Sequence, residues 1–222
     1  MERSADEFAR SATVFPLVGL AIGLVLVLFD WLLHRVLSSA LLSALLVTML
    51  VLASRGFHMD GLADTFDGLG AGGDRERILA VMDDSHIGAF GVVAIVLVVL
   101  IKIEAIDTIG DSRWRALLLA PILSRWAMVL FAYRSKPAKE GLGSTMIANM
   151  DSIHFFGATC IALVLAAVIQ RTIGVALIAW VALFTLTWKA YFHHRLGGVT
   201  GDTFGAVAEL NETSVLVLLA LG

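Results

Sequence analysis

The chain has 222 residues, 59% of them hydrophobic and only 16% charged, against about 25% charged in an ordinary soluble domain. With a mean hydropathy of +0.88, it reads as a single integral membrane domain over 1–222, in which roughly six to seven runs of about 20 apolar residues leave no room for a second, soluble domain. A net charge of −3 without a basic stripe excludes nucleic-acid binding, and a lone cysteine in an apolar run, Cys160, excludes intrachain disulfides and a thiolate metal site.

The opening residues, M-E-R-S-A-D-E-F-A-R-S-A, carry no small-residue cleavage motif behind a short apolar region, and the run that follows is too long for a signal peptide. A first span is therefore predicted over 12–33, with Pro16 in its first turns, where a missing N–H costs least, and Asp30 at the interface. A second, over 36–53, is almost featureless and reads as packing and anchoring. Residues 55–91 then break the pattern, holding seven of the nineteen acidic residues between apolar blocks.

Within that stretch Asp60, Asp64 and Asp67 stand at i, i+4 and i+7, so a helix projects all three carboxylates from one face. Like charges at this spacing cost a few tenths of a kcal/mol per pair, and a divalent cation removes the conflict. Oxygen ligands without nearby cysteine favour a hard ion, and Mg²⁺ in particular is held by a few carboxylates together with substrate phosphates. Gly68, Gly70, Gly72 and Gly73 let backbone N–H groups approach phosphate oxygens. The ordinary alternative, a solvated acidic loop, is weakened by the membrane context. Asp74 is predicted to cap a helix through residue 82, with Glu76 favouring its N-terminal dipole, and Asp83 and Asp84 end it.

A third span over 87–106 opens with Gly88 and Gly91, and Lys102 and Glu104 near its far end are read as reaching water. The fourth, over 114–133, holds Arg125 roughly 13 Å from its end on the helical rise, which costs at least about 2.5 kcal/mol unless the guanidinium meets an anion or a wet cavity. Its partner is a phosphate or an aspartate, or else it forms an internal salt bridge of structural value alone. The polar loop 134–152, with Lys136, Lys139 and the E-G-L-G run from Glu140 to Gly143, can close over a substrate.

Spans over 153–169 and 173–192 follow, joined by a turn at Gln170 and Arg171, with Trp188, Tyr191, His193 and His194 read as an interfacial belt. In the final segment, R-L-G-G-V-T-G-D-T-F-G-A-V-A-E-L-N-E, Asp202 and Glu209 share a helical face kept small by Gly205 and Ala206, a second candidate metal face. About nine apolar residues remain after Glu212, so a seventh helix must bury its acidic first half against protein. Alternation of spans puts the loops 54–87, 134–151 and 193–200 on the side where the chain starts, with ten Lys and Arg there against five on the other side. The positive-inside rule makes that side cytoplasmic. The expected fold is thus an all-α polytopic transmembrane bundle of six to seven spans with a cytoplasm-facing polar site.

The segments F-H-M-D-G-L-A-D-T-F-D-G, D-D-S-H-I-G-A-F-G, S-R-W, K-E-G-L-G and G-G-V-T-G-D-T-F-G-A-V-A-E-L closely resemble the cobalamin synthases, adenosylcobinamide-GDP ribazoletransferases, in order along nearly the whole chain. The resemblance implies a Mg²⁺-dependent reaction in the bacterial inner membrane in which adenosylcobinamide-GDP and α-ribazole, or its 5′-phosphate, give adenosylcobalamin or its phosphate and GMP. It sets Asp60, Asp64 and Asp67 in the family's acidic signature and Asp202 and Glu209 in its C-terminal one. The residues before Glu140 depart from the pattern. A shorter likeness, of D-T-F-D-G-L-G-A from Asp64 to Ala71 to the CDP-alcohol phosphotransferases, lacks the later aspartate pair and is an analogy of chemistry.

The expected mechanism is in-line phosphoryl transfer with the ribazole 5′ oxygen as nucleophile. Asp60, Asp64 and Asp67, joined by Asp202 and Glu209, are expected to hold the metal, with Asp83 or Asp84 as candidate base and Arg125 as fixed charge toward the phosphates. Arg55 and His58 flank the same face, and Glu140, Gly141, Gly143, Gly198 and Thr200 supply substrate contacts from the two glycine-rich loops. The rival class is a divalent-cation or small-molecule transporter, but the acidic motif has no inverted counterpart of the kind transporter repeats show. A structural assembly subunit leaves both acidic faces unexplained. Association of several copies of the chain is compatible with every one of these readings.

Overall fold

The computed structural model describes residues 11–222, so the N-terminal segment with Arg3 and Arg10 lies outside the described residues. Among the described residues nine α-helices follow in order: α1 (Phe15–Leu33), α2 (Ser39–Ala53), α3 (Phe57–Ala71), α4 (Arg75–Met82), α5 (Ala89–Ile109), α6 (Arg113–Ala132), α7 (Leu142–Ala148), α8 (Ser152–Leu196) and α9 (Gly201–Ala220). Among the described residues there is no strand, only an isolated bridge between Pro137 and Val199. Helices α1, α5, α6, α8 and α9 are long and apolar enough to cross a membrane, and α2 with α3, bent by 87° at a short break, make a sixth candidate if the pair counts as one span. The protein is an all-α, multi-pass membrane bundle.

Local signals set the boundaries. Pro16 sits in the first turn of α1 and Asp74 accepts the amide of Arg77 to start α4, as the sequence predicts, and Ser38 accepts the amide of Leu41 to start α2. Gln170 and Arg171 leave helical geometry inside α8, Arg171 at φ 44°. The chain folds back there: Gly174 lies against the carbonyl of Ala166, and Tyr133 stacks on Phe155 near the start of α8 while its carbonyl accepts from Lys189 near the end. The two arms are therefore antiparallel, each of roughly twenty residues and long enough to span the hydrocarbon.

α6 is buried along nearly its whole length and packs against α1, α8 and α9. On α1, a Cβ at Gly19 or Gly23 would stand 2.3 Å from the carbonyl of Pro121 or 2.7 Å from that of Leu117, so only glycine allows this backbone approach. Between membrane helices, where burial from water supplies no drive, such close approach is a main source of cohesion. α9 packs against α3, α5 and α6, and its acidic first half is buried, as its short apolar tail requires.

The ends of the bundle follow the predicted alternation. Phe15, Ser54 and Phe57 share one cavity, and Phe57, Glu140 and Gly201 another, so the three polar loops meet at one end. Asp30, Ser39 and Arg113 gather at the other, where Asp30 pairs with Arg113 at 2.7 Å. One expectation is corrected. Lys102 does not reach water but is fully buried, because α5 continues to Ile109 and carries it further from the helix end than the predicted boundary at 106.

Candidate active site

Five carboxylates and one ammonium line a cavity of about 360 Å³ at the polar end: Asp60 and Asp64 from α3, Asp83 and Asp84 after α4, Asp202 from the first turn of α9, and Lys139 from the loop after α6. Gly61 makes the approach of α3 to α9 feasible, since a Cβ there would stand 2.6 Å from the backbone carbonyl of Asp202. Thr200 caps α9 by accepting the amide of Thr203 and donates its hydroxyl to Asp202 at 3.3 Å, which orients that carboxylate. Lys139 contacts Asp83 at 2.5 Å and Asp202 at 3.0 Å. Burial alone would lower the Lys139 pKa, but its hydrogen bonds and charge pairing with these two aspartates outweigh that and hold it above the ordinary value of 10.5. Asp84 accepts from the His86 side chain and backbone, which keep its pKa below the usual carboxylate value.

The loop bearing Lys139 is strapped down. Ala138 donates to Val199, Val199 donates to Lys136, and Arg75 donates to the carbonyl of Ala138. His193, read from sequence as part of a belt, accepts the Lys136 amide and so anchors the strap. Gly198 is buried beneath it, against the backbone of 136–138. Beyond the strap, Glu140, Gly141, Gly143 and Met146 join Phe57, His58, Asp60, Gly61, Met128, Lys139, Asp202 and Phe204 around a second cavity of about 650 Å³. The two cavities share Asp60, Lys139 and Asp202 in their walls.

Of the predicted residues, Asp67, Glu209, Arg125 and Arg55 line neither cavity. Asp67 accepts the amides of Gly88 at 2.7 Å and Gly91 at 2.8 Å, so both its oxygens secure the start of α5. Glu209 is buried with Lys102, deeper in the bundle than Asp202. Arg125 contacts Glu212 at 2.6 Å, and Glu212 also meets Lys102 at 2.7 Å, so two cations and two anions close into a buried quartet from α5, α6 and α9. His58 stands 3.9 Å from Glu209 at its edge and also lines the 650 Å³ cavity. Arg55 is exposed at the α2–α3 bend, at φ 54°. The sequence reading missed Lys102 and Glu212 as partners, and missed Met128, Met146 and Phe204 as cavity walls. A lysine and a second acid within helical apolar runs were the available signal for the first two; the walls look like ordinary core residues.

Among the described residues no three His, Cys, Asp or Glu side chains already converge as a metal-holding group. The donor set still fits a hard cation: the cavity offers carboxylate oxygens, and Lys139 already sits among them as a positive group. Mg²⁺ is commonly held by one or two carboxylates plus substrate phosphates, which needs no ready-made cage.

Fold and site together define a membrane-embedded protein with an acid-walled pocket that shares wall residues with a larger apolar one. The cobalamin-5-phosphate synthase family model matches residues 1–220, and the chain belongs to that family. It is 42% identical over 98% of its length to an adenosylcobinamide-GDP ribazoletransferase of Geotalea daltonii, covering 89% of that protein. It is 38% identical over 95% of its length to the protein of that name from Syntrophobacter fumaroxidans (86% covered), and 37% identical over 97% to that of Escherichia coli (89% covered). No solved structure matches the chain.

Proposed function

We propose that the chain is a transferase that joins α-ribazole, or its 5′-phosphate, to adenosylcobinamide-GDP with release of GMP, at the cytoplasmic face of the bacterial inner membrane. The observation that carries this reading is that Asp60, Lys139 and Asp202 line both the acid-walled cavity and the larger apolar one. The names of the relatives supply the substrates, and the excess of Lys and Arg in the loops at this end supports the orientation.

A ribose oxygen forms a new bond to the cobinamide-linked phosphorus while the bridging P–O bond breaks and its electron pair leaves on GMP. The proton of the attacking hydroxyl passes to a carboxylate. The 5′ oxygen expected from sequence is blocked in the 5′-phosphate, so a secondary ribose hydroxyl is the nucleophile common to both acceptors. Asp60, Asp64 and Asp202 would hold Mg²⁺, which when bound neutralises the diphosphate and stabilises the departing oxygen. Lys139 orients Asp83 and Asp202 and adds positive charge beside the phosphates. Asp83 and Asp84 are the candidate proton acceptors, and the hydrogen bonds from His86 hold Asp84 low. Arg125 and Glu209 act from below, by holding α5, α6 and α9 in register.

The test is GMP release by the purified protein in nanodiscs from adenosylcobinamide-GDP and α-ribazole, with and without Mg²⁺. Release that needs both substrates and the metal supports the reading. No release with all components present removes it.

A further inference from the structure

The acidic cavity suits a diphosphate and a cation, but the larger cavity beside it has walls of another kind. Met146 and Phe204 are almost fully buried, Met128 is half-buried, and the Phe204 ring is fixed edge-on by Phe131 at 5.1 Å between centroids. Two adaptable thioether side chains beside a rigid ring make good contact with a flat aromatic group. At about 650 Å³ the space is of the size that buries a small organic molecule, and far too small for a corrinoid ring. Its charged side chains are Asp60, Lys139 and Asp202, shared with the first cavity, and Glu140 on the exposed rim; His58 adds one imidazole, 3.9 Å from Glu209, and no side-chain amide or hydroxyl lines it.

Resting on the transferase reading above, we propose that this cavity is the subsite for the base of the acceptor nucleoside, with Met128, Met146 and Phe204 setting which bases enter. A benzimidazole has an apolar benzene edge that needs no hydrogen-bond partner. A guanine has two donors and an acceptor on its outer edge, which the side chains of Met128, Met146 and Phe204 cannot pair. With the base among the methionines, the ribose reaches the shared residues Asp60, Lys139 and Asp202, where a hydroxyl meets the phosphorus held in the acidic cavity. Met146 stands on α7, behind the strap, so the same loop that carries Lys139 also closes the base subsite.

The intrinsic fluorescence of α-ribazole, titrated with the protein in nanodiscs without the GDP-linked substrate, reads this subsite independently of turnover. Met146→Trp, which fills the cavity, should weaken α-ribazole binding about tenfold or more, the scale at which a pocket discriminates by size. Met146→Ala should admit nucleosides with a tricyclic base that the parent protein rejects, and in both variants KM for adenosylcobinamide-GDP should move less than about twofold. Unchanged α-ribazole affinity in both variants, or displacement of α-ribazole by GMP, overturns the assignment. If the parent protein binds α-ribazole in a Met146-dependent way but releases no GMP, the subsite stands and the transferase reading falls.

Discussion

Two clusters of charge in this bundle are built from the same side chains and behave as opposites. The quartet of Lys102, Arg125, Glu209 and Glu212 is buried, closes every charge on an opposite one, and balances to zero. The cavity of Asp60, Asp64, Asp83, Asp84 and Asp202 sets five carboxylates against Lys139 alone, and three of the five are exposed. A cluster that completes itself has no need of a ligand. One left with excess negative charge, open to solvent and sharing wall residues with an apolar cavity, is arranged for a cation and the phosphates that come with it.

The comparison breaks first at the quartet. Lys102→Met leaves two buried carboxylates sharing one guanidinium, and the loss of stability should be about 3–5 kcal/mol, measured by denaturant or thermal unfolding in nanodiscs. Adding Glu209→Gln should recover a large part of that loss, because the double variant restores one cation to one anion. A single variant as stable as the parent would mean the quartet is not what holds α5, α6 and α9 together.

At the cavity the expected effects are on chemistry. Asp64→Asn should lower GMP release by about 10²–10³ while the unfolding midpoint shifts little, since Asp64 is half-buried and has no ion-pair partner among the described residues. Near-normal turnover would remove Asp64 from the site. Asp67→Asn sits between the two regimes: it keeps a side-chain oxygen but loses charge-assisted bonds to Gly88 and Gly91, and about 1–2 kcal/mol of stability should follow, with activity falling only as far as folding does.

The smallest effect belongs to Lys139. Its pairs are partly exposed, so solvent screens them and Lys139→Met should cost less than about 1 kcal/mol. A pKa raised in the folded state means that this contribution is fully present below 10.5 and lost as pH rises through the higher folded value. The protection factors of the Ala138 and Val199 amides, in magnesium-free buffer and with the intrinsic base-catalysed exchange rate divided out at each pH, should therefore fall only above pH 10.5. A fall in protection between pH 7 and 9, well below that pKa, would assign the change to a group other than Lys139.

Much of this was legible in the sequence because it depends on neighbours along the chain. Apolar run length determined the membrane class, Pro16 and Asp74 marked helix starts, and the polar pair Gln170 and Arg171 marked the hairpin inside α8. Alternation of spans brought the three polar loops to one end without any knowledge of packing. The seven-residue spacings were read correctly as shared faces but not as shared sites: seven residues rise about 10.5 Å along a helix. Asp202 therefore opens α9 at the cavity while Glu209 lies two turns deeper, and Asp67 lies two turns beyond Asp60 against the start of α5. Lys102 and Glu212 are 110 residues apart, and only the meeting of α5 with α9 made them partners. Pairing across such distances depends on which helices pack together, and local pattern carries no record of that choice, so tertiary structure alone decided which acids are spent on internal balance and which remain open.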